Sequence, residues 1–508
     1  MLLGAATGPI TEPLTGRRWE PDEVRRQVLH RAAGLRAGGI RQGNRVLIGY
    51  GNCLEFFADL LALWTVGACA IPLDARLTPF EIETLSRAAR ARAYIGLGDV
   101  DADLTRKLEA LGTTVMLSDA IGAEPIDPAL PVPPYRLDDD ALILFTSGTT
   151  GNPKGVVHTH RSLRARWFSL RGHLGLEKYR RTLCLLPTHF GHGLICNALF
   201  PWLSGQELFI LPPFTPDAVM RLGEILDQQR ITFMSSVPSV WRLALKTARP
   251  PSAGTLQRVF VGSAPLSAHL WRDIQRWSGT RDVANAYGIT ETGSWVAGTT
   301  VGEFEPEDGL IGVPWGAVAA ITREGTADAP PGVGEPCGAG DVGFVWLNTP
   351  ALMKGYLDRD DLTAQCVTAG WFLTGDLGLL DDRGWLYLRG RVRDEINKGG
   401  AKVYPADIEA VTEQFAGVND LCCFAVDDPH YGQNVGLVLV MTDPTPARLR
   451  GLYAWLQAHL AEHQMPVKWF LTDNLPRTSR GKISRDRIAE VCKGLSPLDL
   501  RAVLGGAP

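Results

Sequence analysis

Apolar positions in the first 115 residues alternate between helical spacing and short continuous runs. Residues 21–36 carry apolar side chains at helical spacing, and RVLIGYG, residues 45–51, is a short apolar run that contains two glycines. The same two patterns return at residues 80–91 and in ARAYIGLG, residues 91–98. Helices and strands that take turns along a chain predict parallel sheets covered by helices.

The alternation resumes beyond residue 180 and then changes character. Residues 218–229 have a helical pattern, and ITFMSS (231–236) and RVFVGS (258–263) have the pattern of strands. Residues 329–343 are dense in proline and glycine, which is typical of the turns in a smaller β-rich region. From about residue 394 the chain predicts a helix in PADIEAVTEQFAG and strands in LCCFAVDD and VGLVLVMT, and therefore a separate small α+β domain.

The most apolar stretch, FFADLLALWTVGACAIPL at residues 56–73, has the length of a short membrane span. Asp59 near its start, Gly67 inside it and Pro72 near its end favour a buried helix followed by a strand. The N-terminus has no basic start followed by a long apolar run, so we expect no secretory signal. We therefore expect no stable membrane insertion.

The composition indicates a globular protein of two or more domains. The 508 residues are 45% apolar and 21% charged, which is enough to fill large buried cores. The net charge is −4 and Lys and Arg form no block, so nucleic acid is not expected as a partner. The nine cysteines contain no CxxC pair, which predicts reduced, buried thiols and a cytoplasmic location rather than a zinc site or disulfides.

The strongest chemical pattern is ILFTSGTTGNPKGVVHTH, residues 143–160. An apolar run enters a loop of Thr, Ser and Gly, where backbone N–H groups and hydroxyls can donate to phosphate oxygens and Lys154 adds positive charge. Gly155 follows the lysine, so this is not the GxxxxGK[ST] loop. A flexible surface loop is the alternative, but the ordered string SGTTGNPKG after a strand favours phosphate binding. The candidate ATP-binding residues here are Thr146, Ser147, Gly148, Thr149, Thr150, Gly151 and Lys154.

This loop resembles the one that characterises the adenylate-forming superfamily. That superfamily includes acyl- and aryl-CoA synthetases, adenylation domains of peptide synthetases and firefly-type luciferases. Further stretches that resemble the family's motifs follow in the family's order: VGSAPLS (261–267), NAYGITETG (285–293), DGLIGVP (308–314), GWFLTGDLG (370–378), GRVRDEINKGGAKVYPADIE (390–409) and LPRTSRGKISR (475–485). The resemblance covers nearly the whole chain, and an ordered set of this kind is far more specific than any single motif.

The resemblance implies how ATP and its metal ion are held. Glu291 would ligate Mg²⁺, because a carboxylate beside a phosphate is repelled unless a cation lies between them. Tyr287 would stack on adenine and Thr290 would reach the α-phosphate. Asp376 would bind the ribose hydroxyls, and Arg391 would bind the ribose or a phosphate. Further ATP-binding candidates are Ser263, Ala264, Pro265, Asn285, Ala286 and Gly288.

The resemblance also implies two domains that move relative to each other. The large N-terminal domain, residues 1–392, would contain helix-covered sheets plus a small β-rich subdomain, in an α/β fold. The small C-terminal domain, residues 393–508, would be a mobile α+β domain that carries Lys482 as the catalytic lysine. Arg393 occupies the hinge position, where the family usually has Asp or Lys.

The acyl acceptor would approach along a glycine-bearing face of the small domain. Gly399 and Gly400 would give the pantetheine arm a path free of side chains. Lys398, Lys402 and Arg393 are basic residues suited to the 3′-phosphate of coenzyme A.

The acid pocket is expected to follow the stretch LLPTHFGHGL, residues 185–194. In the family this region gates and lines the pocket, and FGHGLICNALFPWLSG somewhat resembles benzoate-type ligases, whereas HGL is similar to synthetases for short dicarboxylates. We expect an aromatic or compact acid. His192 either hydrogen-bonds a polar substituent of the acid or is a satisfied core histidine. The candidate pocket residues are Phe190, His192, Cys196, Gly293 and Trp295.

Together the motifs predict ATP-dependent activation of a small carboxylic acid to an acyl-AMP, followed by transfer to the thiol of coenzyme A. One alternative is a stand-alone adenylating enzyme that loads the phosphopantetheine of an acyl carrier protein. A second is a catalytically silent adenylate-binding protein, although Lys154, Glu291, Asp376 and Lys482 together argue against it. A luciferase-like oxygenase is the most distant alternative.

Overall fold

The computed structural model describes residues 7–126, 134, 136–146, 153–212, 215–299, 304–323, 329–332, 334–477 and 483–504. Across these residues the strands form sheets of 14, seven and five strands. The first two sheets belong to the large N-terminal part of the chain, and the third belongs to the C-terminal part. This is the α/β architecture predicted from the sequence.

The seven-stranded sheet contains five parallel strands and two antiparallel strands at one edge. Helices precede or connect the parallel strands, and Thr78 begins one of them through a capping box with Glu81. In spatial order the strands are Gly355–Tyr356, Lys154–Thr159, Asp140–Thr146, Cys69–Pro72, Arg45–Ile48, Ala93–Gly96 and Thr114–Leu117. The helices are Pro21–Ala37, Leu54–Thr65, Pro79–Ala89, Ala102–Ala110 and Ser118–Ala123.

The apolar stretch at residues 56–73 forms a buried helix and a buried strand, as predicted. The helix Leu54–Thr65 buries nearly every side chain, and the strand Cys69–Pro72 is buried throughout. Gly67 adopts φ +79° at the turn between them, a conformation that favours glycine. In the part of the chain that the structure describes, no helix has the length and apolar character needed to cross a membrane.

The 14-stranded sheet joins a largely parallel half to an antiparallel half. The β-rich region that the sequence predicted is therefore a continuation of the second helix-covered sheet. In spatial order the strands are Val318–Thr322, Gly343–Asn348, Trp371–Leu380, Leu386–Arg391, Leu310–Pro314, Ser294–Gly298, Val283–Ile289, Arg258–Gly262, Phe233–Ser236, Arg181–Cys184, Glu207–Ile210, Ile10–Thr11 and Arg18–Trp19, with Val367–Thr368 beside Trp371–Leu380. Its helical segments are His160–Leu174, His192–Leu199, Phe200–Trp202, Pro216–Met220, Leu222–Gln228, Pro238–Thr247, Ala268–Ser278 and Asp360–Cys366.

The helix predicted at residues 218–229 is divided in two. Pro216–Met220 and Leu222–Gln228 are separated at Arg221. The second helix brings Gly223 against the backbone carbonyl of Arg249, so closely that a Cβ atom would clash. Helical periodicity along the sequence does not reveal such a close approach, which is why the pattern predicted one continuous helix.

The two large sheets share one hydrophobic core. Strand residues of the first sheet, such as Ile48 and Leu142, lie in the same buried cluster as Leu208 and Phe260 of the second sheet. The cluster buries apolar side chains from both sheets and from the helices between them, which is the dominant favourable contribution to folding. The shared core fixes the relative positions of loops that leave the two sheets.

The small domain has its own five-stranded sheet and its own core. Glu413 connects it to the large domain, because its carboxylate accepts from Arg242 at 2.6 Å and from the hydroxyl of Ser267. Lys246 adds a hydrogen bond to Asn419 at 3.3 Å. The strands are Ala401–Val403, Ile396–Lys398, Gly432–Met441, Val418–Asp428 and Lys468–Leu471, and the helices are Pro405–Thr412, Pro446–His459, Arg485–Lys493 and Leu500–Leu504.

Candidate active site

The predicted phosphate loop connects two antiparallel strands of the seven-stranded sheet. Thr146 ends the strand Asp140–Thr146, Lys154 begins the strand Lys154–Thr159, and the two residues are paired. The hydroxyl of Thr146 donates to the carbonyl of Lys154 at 3.4 Å. The strands therefore fix both ends of the loop. Ser147, Gly148, Thr149, Thr150 and Gly151 lie outside the described residues, so their roles stay predictions from the sequence.

Glu291 lies on a single 3₁₀ turn, Thr290–Thr292, directly after the strand Val283–Ile289. Its Oε1 accepts a hydrogen bond from the hydroxyl of Tyr356 at 2.7 Å. The ammonium group of Lys154 lies 5.7 Å from the centre of the Tyr356 ring, within the range of a cation–π contact. One tyrosine therefore contacts the charged groups of two separate nucleotide motifs.

Backbone carbonyls hold the turn that carries Glu291. The ring nitrogen Nε2 of His158 donates to the carbonyl of Thr290 at 2.8 Å, and the amide of Met353 donates to the carbonyl of Glu291 at 2.7 Å. Arg166 donates to the carbonyl of Thr292 at 2.8 Å. Each residue of the turn is thus fixed by a different element, which limits the positions that the Glu291 carboxylate can take.

His158 and Arg166 are both buried, and burial shifts both of their pKa values downward. Desolvation lowers the pKa of His158 to about 4, so the imidazole is neutral at physiological pH. Desolvation lowers the pKa of Arg166 to about 10, which still leaves the guanidinium charged. Its donors are used by the carbonyls of Thr292 and Trp315 and by the hydroxyl of Thr349. Arg166 therefore holds two backbone carbonyls and one hydroxyl in place.

Asp376 and Arg391 lie on neighbouring strands, next to Tyr287. The two residues are paired in the sheet, and Arg391 Nε lies 3.0 Å from Asp376 Oδ1. The hydroxyl of Tyr287 donates to Asp376 Oδ2. The Asp376 carboxylate raises the pKa of Arg391, and burial together with that carboxylate raises the pKa of Tyr287. The structure thus brings together three of the residues predicted to bind the nucleoside.

The strands Arg258–Gly262 and Val283–Ile289 run side by side and end at the same edge of the sheet. Ligands of open α/β sheets bind at the carboxyl ends of such parallel strands. Ser263, Ala264 and Pro265 follow the first strand there, and Ser263 adopts φ +68°. Two members of the second strand are structural: Asn285 is buried and donates to the carbonyl of Leu310 at 2.7 Å, and at Gly288 a Cβ atom would clash with the backbone of Ser294. Ala286 is paired with Gly262.

The candidate acid-pocket residues form one buried cluster. The rings of Phe190 and Trp295 lie 6.0 Å and 5.3 Å from the ring of His192. Cys196 donates its thiol to the carbonyl of Gly293 at 3.5 Å and accepts from the amide of Trp295 at 3.4 Å. Burial raises the pKa of Cys196 to about 11, so it remains a thiol at neutral pH. The structure therefore brings together all five residues predicted for this pocket.

Hydrogen bonds fix the polarity of His192. The hydroxyl of Ser235 donates to the carbonyl of Phe260 at 3.2 Å, so its oxygen accepts from His192 Nε2 at 2.6 Å. In the neutral imidazole Nδ1 is then the acceptor for the hydroxyl of Ser263, 2.9 Å away. The hydroxyl proton of Ser263 is used in the hydrogen bond to His192. The Ser263 oxygen can still accept a further hydrogen bond.

The small-domain candidates lie on a short hairpin at the start of that domain. Gly399 and Gly400 form the turn between the strands Ile396–Lys398 and Ala401–Val403, and both have positive φ. A Cβ atom on Gly400 would meet nothing within 4 Å. The ammonium group of Lys398 lies 5.7 Å from the ring centre of Tyr431. Arg393 lies 3.6 Å from Asp394, and Lys482 lies outside the described residues.

Three residues of this site were not singled out from the sequence: Tyr356, His158 and Arg166. His158 belongs to the quoted loop motif, but nothing in VVHTH indicates a bond to a carbonyl more than 130 residues away. Tyr356 reaches the site only because the strand Gly355–Tyr356 pairs with the strand after the phosphate loop. Their positions follow from tertiary pairing, for which one sequence gives no signal.

The chain is similar to known proteins along most of its length. The model of the AMP-binding enzyme family matches residues 11–357, and that of the AMP-binding enzyme C-terminal domain matches residues 407–482. A feruloyl-CoA synthase of Amycolatopsis sp is 30% identical over 472 residues, 92% of each chain. A 2-succinylbenzoate–CoA ligase of Geobacillus sp. (strain WCH70) is 29% identical over 477 residues, again 92% of each chain. The crystal structure of ATP-bound MatB from Rhodopseudomonas palustris has a TM-score of 0.84 at 25% identity, over 96% of each chain.

The family match spans more than half of the chain, and the relatives are similar along almost their whole length. Among the described residues Tyr356 contacts Lys154 and Glu291, and Asp376 contacts Tyr287 and Arg391. The chain therefore belongs to the AMP-binding enzymes, the adenylate-forming superfamily.

Proposed function

We propose that this enzyme activates an aromatic or compact carboxylic acid with ATP and transfers the acyl group to the thiol of coenzyme A. One observation carries the proposal: contacts run without a break from Lys154 through Tyr356 to Glu291, and the strand before Glu291 leads to Tyr287 and Asp376. These contacts and this strand thus connect the residues suited to bind phosphate, a metal ion and ribose.

In the first step an oxygen of the acid attacks the α-phosphorus of ATP. The new O–P bond forms as the bond to the bridging oxygen of the β-phosphate breaks, and pyrophosphate leaves. A carboxylic acid is already ionised at neutral pH, so the step needs no general base. Positioning and fixed positive charge carry most of the catalysis in phosphoryl transfer. Lys154, Thr290 and Lys482 are assigned to hold the phosphates, and Tyr287, Asp376 and Arg391 to hold the nucleoside.

The residues present fit Mg²⁺. This ion is usually held by one or two carboxylates together with substrate phosphates rather than by an all-protein cage. Glu291 offers one carboxylate, oriented by Tyr356 at 2.7 Å, and the described residues contain no cluster of three metal-ligating side chains. When bound, the ion would neutralise charge on the phosphates. Glu291 is therefore the residue that we assign to hold it.

In the second step the sulfur of the acceptor attacks the acyl carbonyl carbon. The bond between that carbon and the AMP oxygen breaks, and the thiol proton is released. We assign Gly399, Gly400 and Lys398 to the pantetheine arm and Arg393 to the hinge. The division into residues 1–392 and 393–508 belongs to this proposal, and it is supported by the gap between the large-domain strand Leu386–Arg391 and the small-domain strand Ile396–Lys398.

The composition of the pocket supports an aromatic acid. Phe190 and Trp295 supply flat apolar surfaces, and His192 lies between them with both ring nitrogens engaged by serine hydroxyls. The Ser263 oxygen, which still accepts, suits a hydroxyl or amino substituent better than a second carboxylate. The relatives named as feruloyl-CoA synthase and 2-succinylbenzoate–CoA ligase also point to aromatic acids.

An acyl carrier protein is the second candidate acceptor. Two of the three basic residues suited to the 3′-phosphate of coenzyme A already face carboxylates: Arg393 lies 3.6 Å from Asp394, and Lys402 lies 3.5 Å from Glu395. Both acceptors present the same phosphopantetheine thiol, so the first half-reaction does not distinguish them. We infer a cytoplasmic location, supported by nine cysteines that are all free thiols.

ATP–pyrophosphate exchange across a panel of benzoates, cinnamates, short dicarboxylates, fatty acids and amino acids tests the proposal. We expect exchange with an aromatic or compact acid, and its loss in Lys482→Ala. Folded protein that binds ATP but exchanges with no acid would favour the silent adenylate-binding alternative. Undiminished exchange in Lys482→Ala would remove the role assigned to that lysine. Thioester formation with coenzyme A or with a phosphopantetheinylated carrier then identifies the acceptor.

A further inference from the structure

The segment MKGYL, residues 353–357, is attached to two nucleotide motifs at once. The amide of Met353 donates to the carbonyl of Glu291 at 2.7 Å. The amide of Lys354 donates to the carbonyl of Val157 at 2.8 Å, on the strand that begins at Lys154. The amide of Leu357 donates to the carbonyl of Gly155, also at 2.8 Å. The segment therefore fixes the distance between the lysine of the phosphate loop and the turn that carries Glu291.

Tyr356 connects the same two motifs with its side chain. Its hydroxyl donates to Glu291 Oε1 at 2.7 Å, and its ring lies 5.7 Å from the Lys154 ammonium. The backbone amide of Tyr356 is itself held by the Thr363 hydroxyl at 2.9 Å.

The two charged groups that Tyr356 contacts are opposite in sign, and they attract each other. Among the described residues no ion pair joins Lys154 to Glu291, although both lie against the same tyrosine. In a direct ion pair Lys154 would be less able to bind phosphate, and Glu291 would be less able to bind the metal ion. Attraction between such charges is strong where water is partly excluded, so something has to keep them apart.

We propose that Tyr356 is a positioning residue that holds Lys154 and Glu291 apart and aims each at its own part of the ATP–metal complex. The ring carries the ammonium on its face, and the hydroxyl orients the carboxylate. The inference rests on the proposed function, because it assigns Lys154 to phosphate and Glu291 to Mg²⁺.

Tyr356 also packs with Met353, Val156 and Cys366 in a small apolar cluster. A purely structural tyrosine would contribute to that cluster alone. In that case its replacement would lower stability and would weaken ATP binding in the same way with and without the metal ion. The proposal instead requires separate effects for the ring and for the hydroxyl.

ATP binding measured by isothermal titration calorimetry, first with EDTA and then with increasing Mg²⁺, tests this separation. Tyr356→Phe keeps the ring and loses the hydroxyl, so we expect unchanged metal-free ATP affinity and about a tenfold rise in the Mg²⁺ concentration that gives half of the metal-dependent gain. Tyr356→Leu loses both groups, so we expect about a tenfold loss of metal-free affinity as well. Tyr387→Phe is the matched control, because its hydroxyl donates to Glu307 at 3.0 Å.

A double variant identifies the mechanism. In Tyr356→Leu with Glu291→Gln the competing anion is absent, so we expect metal-free ATP affinity to return to near the wild-type value. A structural role predicts no such recovery, and its absence would overturn the proposal. If Tyr356→Leu does not fold, the nearly isosteric Tyr356→Phe decides: a Mg²⁺ dependence equal to that of Tyr387→Phe overturns the proposal. Wild-type protein that binds no ATP would overturn the proposed function and this inference together, whereas wild-type binding with unaffected variants overturns this inference alone.

Discussion

The nucleotide half of the candidate site holds its charged groups through partners from several strands, whereas the acid half packs aromatic rings around one imidazole. In the first half Lys154, Glu291 and Asp376 each contact another residue assigned to the site. In the second half His192 is held by Ser235 and Ser263, which present hydroxyls rather than charges. Fixed charges suit ATP, which all adenylate-forming reactions share. An apolar pocket suits the acid, which differs between enzymes.

The comparison predicts that single substitutions in the nucleotide half have the largest effects. Glu291→Gln should lower the rate of adenylation about 10²- to 10³-fold, because it removes a preorganised negative charge beside the metal ion. Pyrophosphate exchange at saturating acid measures this rate. Glu307→Gln is the control, since that carboxylate also accepts from a tyrosine, Tyr387, at 3.0 Å. An equal loss in both variants would contradict the assignment of Glu291.

The neutral histidine of the nucleotide half predicts a dependence of stability on pH. Because the folded-state pKa of His158 is about 4 and the usual value is 6.5, the unfolded chain takes up a proton in this window that the folded chain does not. The contribution of His158 to the free energy of unfolding should therefore fall as pH drops from 6.5 to 4, by up to about 3 kcal/mol. His158→Gln keeps a donor for Thr290 and should remove this contribution.

Chemical denaturation at a series of pH values measures this effect. His269→Gln, which changes an exposed histidine beside Asp273, is the matched control. His160 has a similarly lowered pKa, so we expect the pH dependence to shrink rather than vanish in His158→Gln. A pH dependence in His158→Gln as large as in the wild type would show that another group is responsible.

Substitutions in the acid half should change the selectivity among acids rather than the affinity for ATP. His192→Ala removes a ring from between Phe190 and Trp295 and should shift the preference among acids by about tenfold toward bulkier ones. The KM for ATP should change less than the selectivity, although Ser263, a candidate ATP-binding residue, donates to this imidazole at 2.9 Å. Exchange assays with paired small and large benzoates measure the shift. An increase in the KM for ATP without a change in selectivity would contradict the separation of the acid half from the nucleotide half.

The smallest expected effect lies outside both halves, where the small domain meets the large one. Arg242→Ala breaks the 2.6 Å bond to Glu413 and should change the ratio of thioester formation to adenylation by only about two- to fivefold, since a single, partly exposed ion pair contributes little. Arg249→Ala, which breaks a 2.8 Å pair with Asp227 inside the large domain, is the control. Separate assays of adenylation and thioester formation give this ratio for each variant. An equal ratio in Arg242→Ala and Arg249→Ala would contradict a role for the contact between Arg242 and Glu413.

In both halves the sequence indicated residues whose functional groups the chemistry requires, and it missed residues that only hold those groups in place. Phosphate, metal and ribose demand particular functional groups, and therefore Glu291 and Asp376 stand in motifs that a sequence shows. The polarity of His192 depends on Ser235, which carries no motif and reaches it only through the packing of strands. The same limit applies to Tyr356 and Arg166, whose contacts join segments far apart in the chain.

The fold shows a similar division. The alternation of patterns predicted helix-covered sheets and a small α+β domain, and the structure has both. The sequence did not predict that the β-rich region continues the second sheet, because strand order depends on pairing between distant segments. It also missed the break at Arg221, because the helical pattern of the sequence continues through that position.

His192 and Cys196 lie on a π-helix, His192–Leu199, and the amide of Phe200 donates to the carbonyl five residues earlier, at Ile195. A π-helix carries an extra residue in each turn compared with an α-helix. Removing one residue would restore α-helical winding and rotate His192 relative to Cys196, and so exchange the side chains that face the acid. Single-residue deletions within His192–Leu199 are therefore expected to change the preference among acids, as substitutions there are.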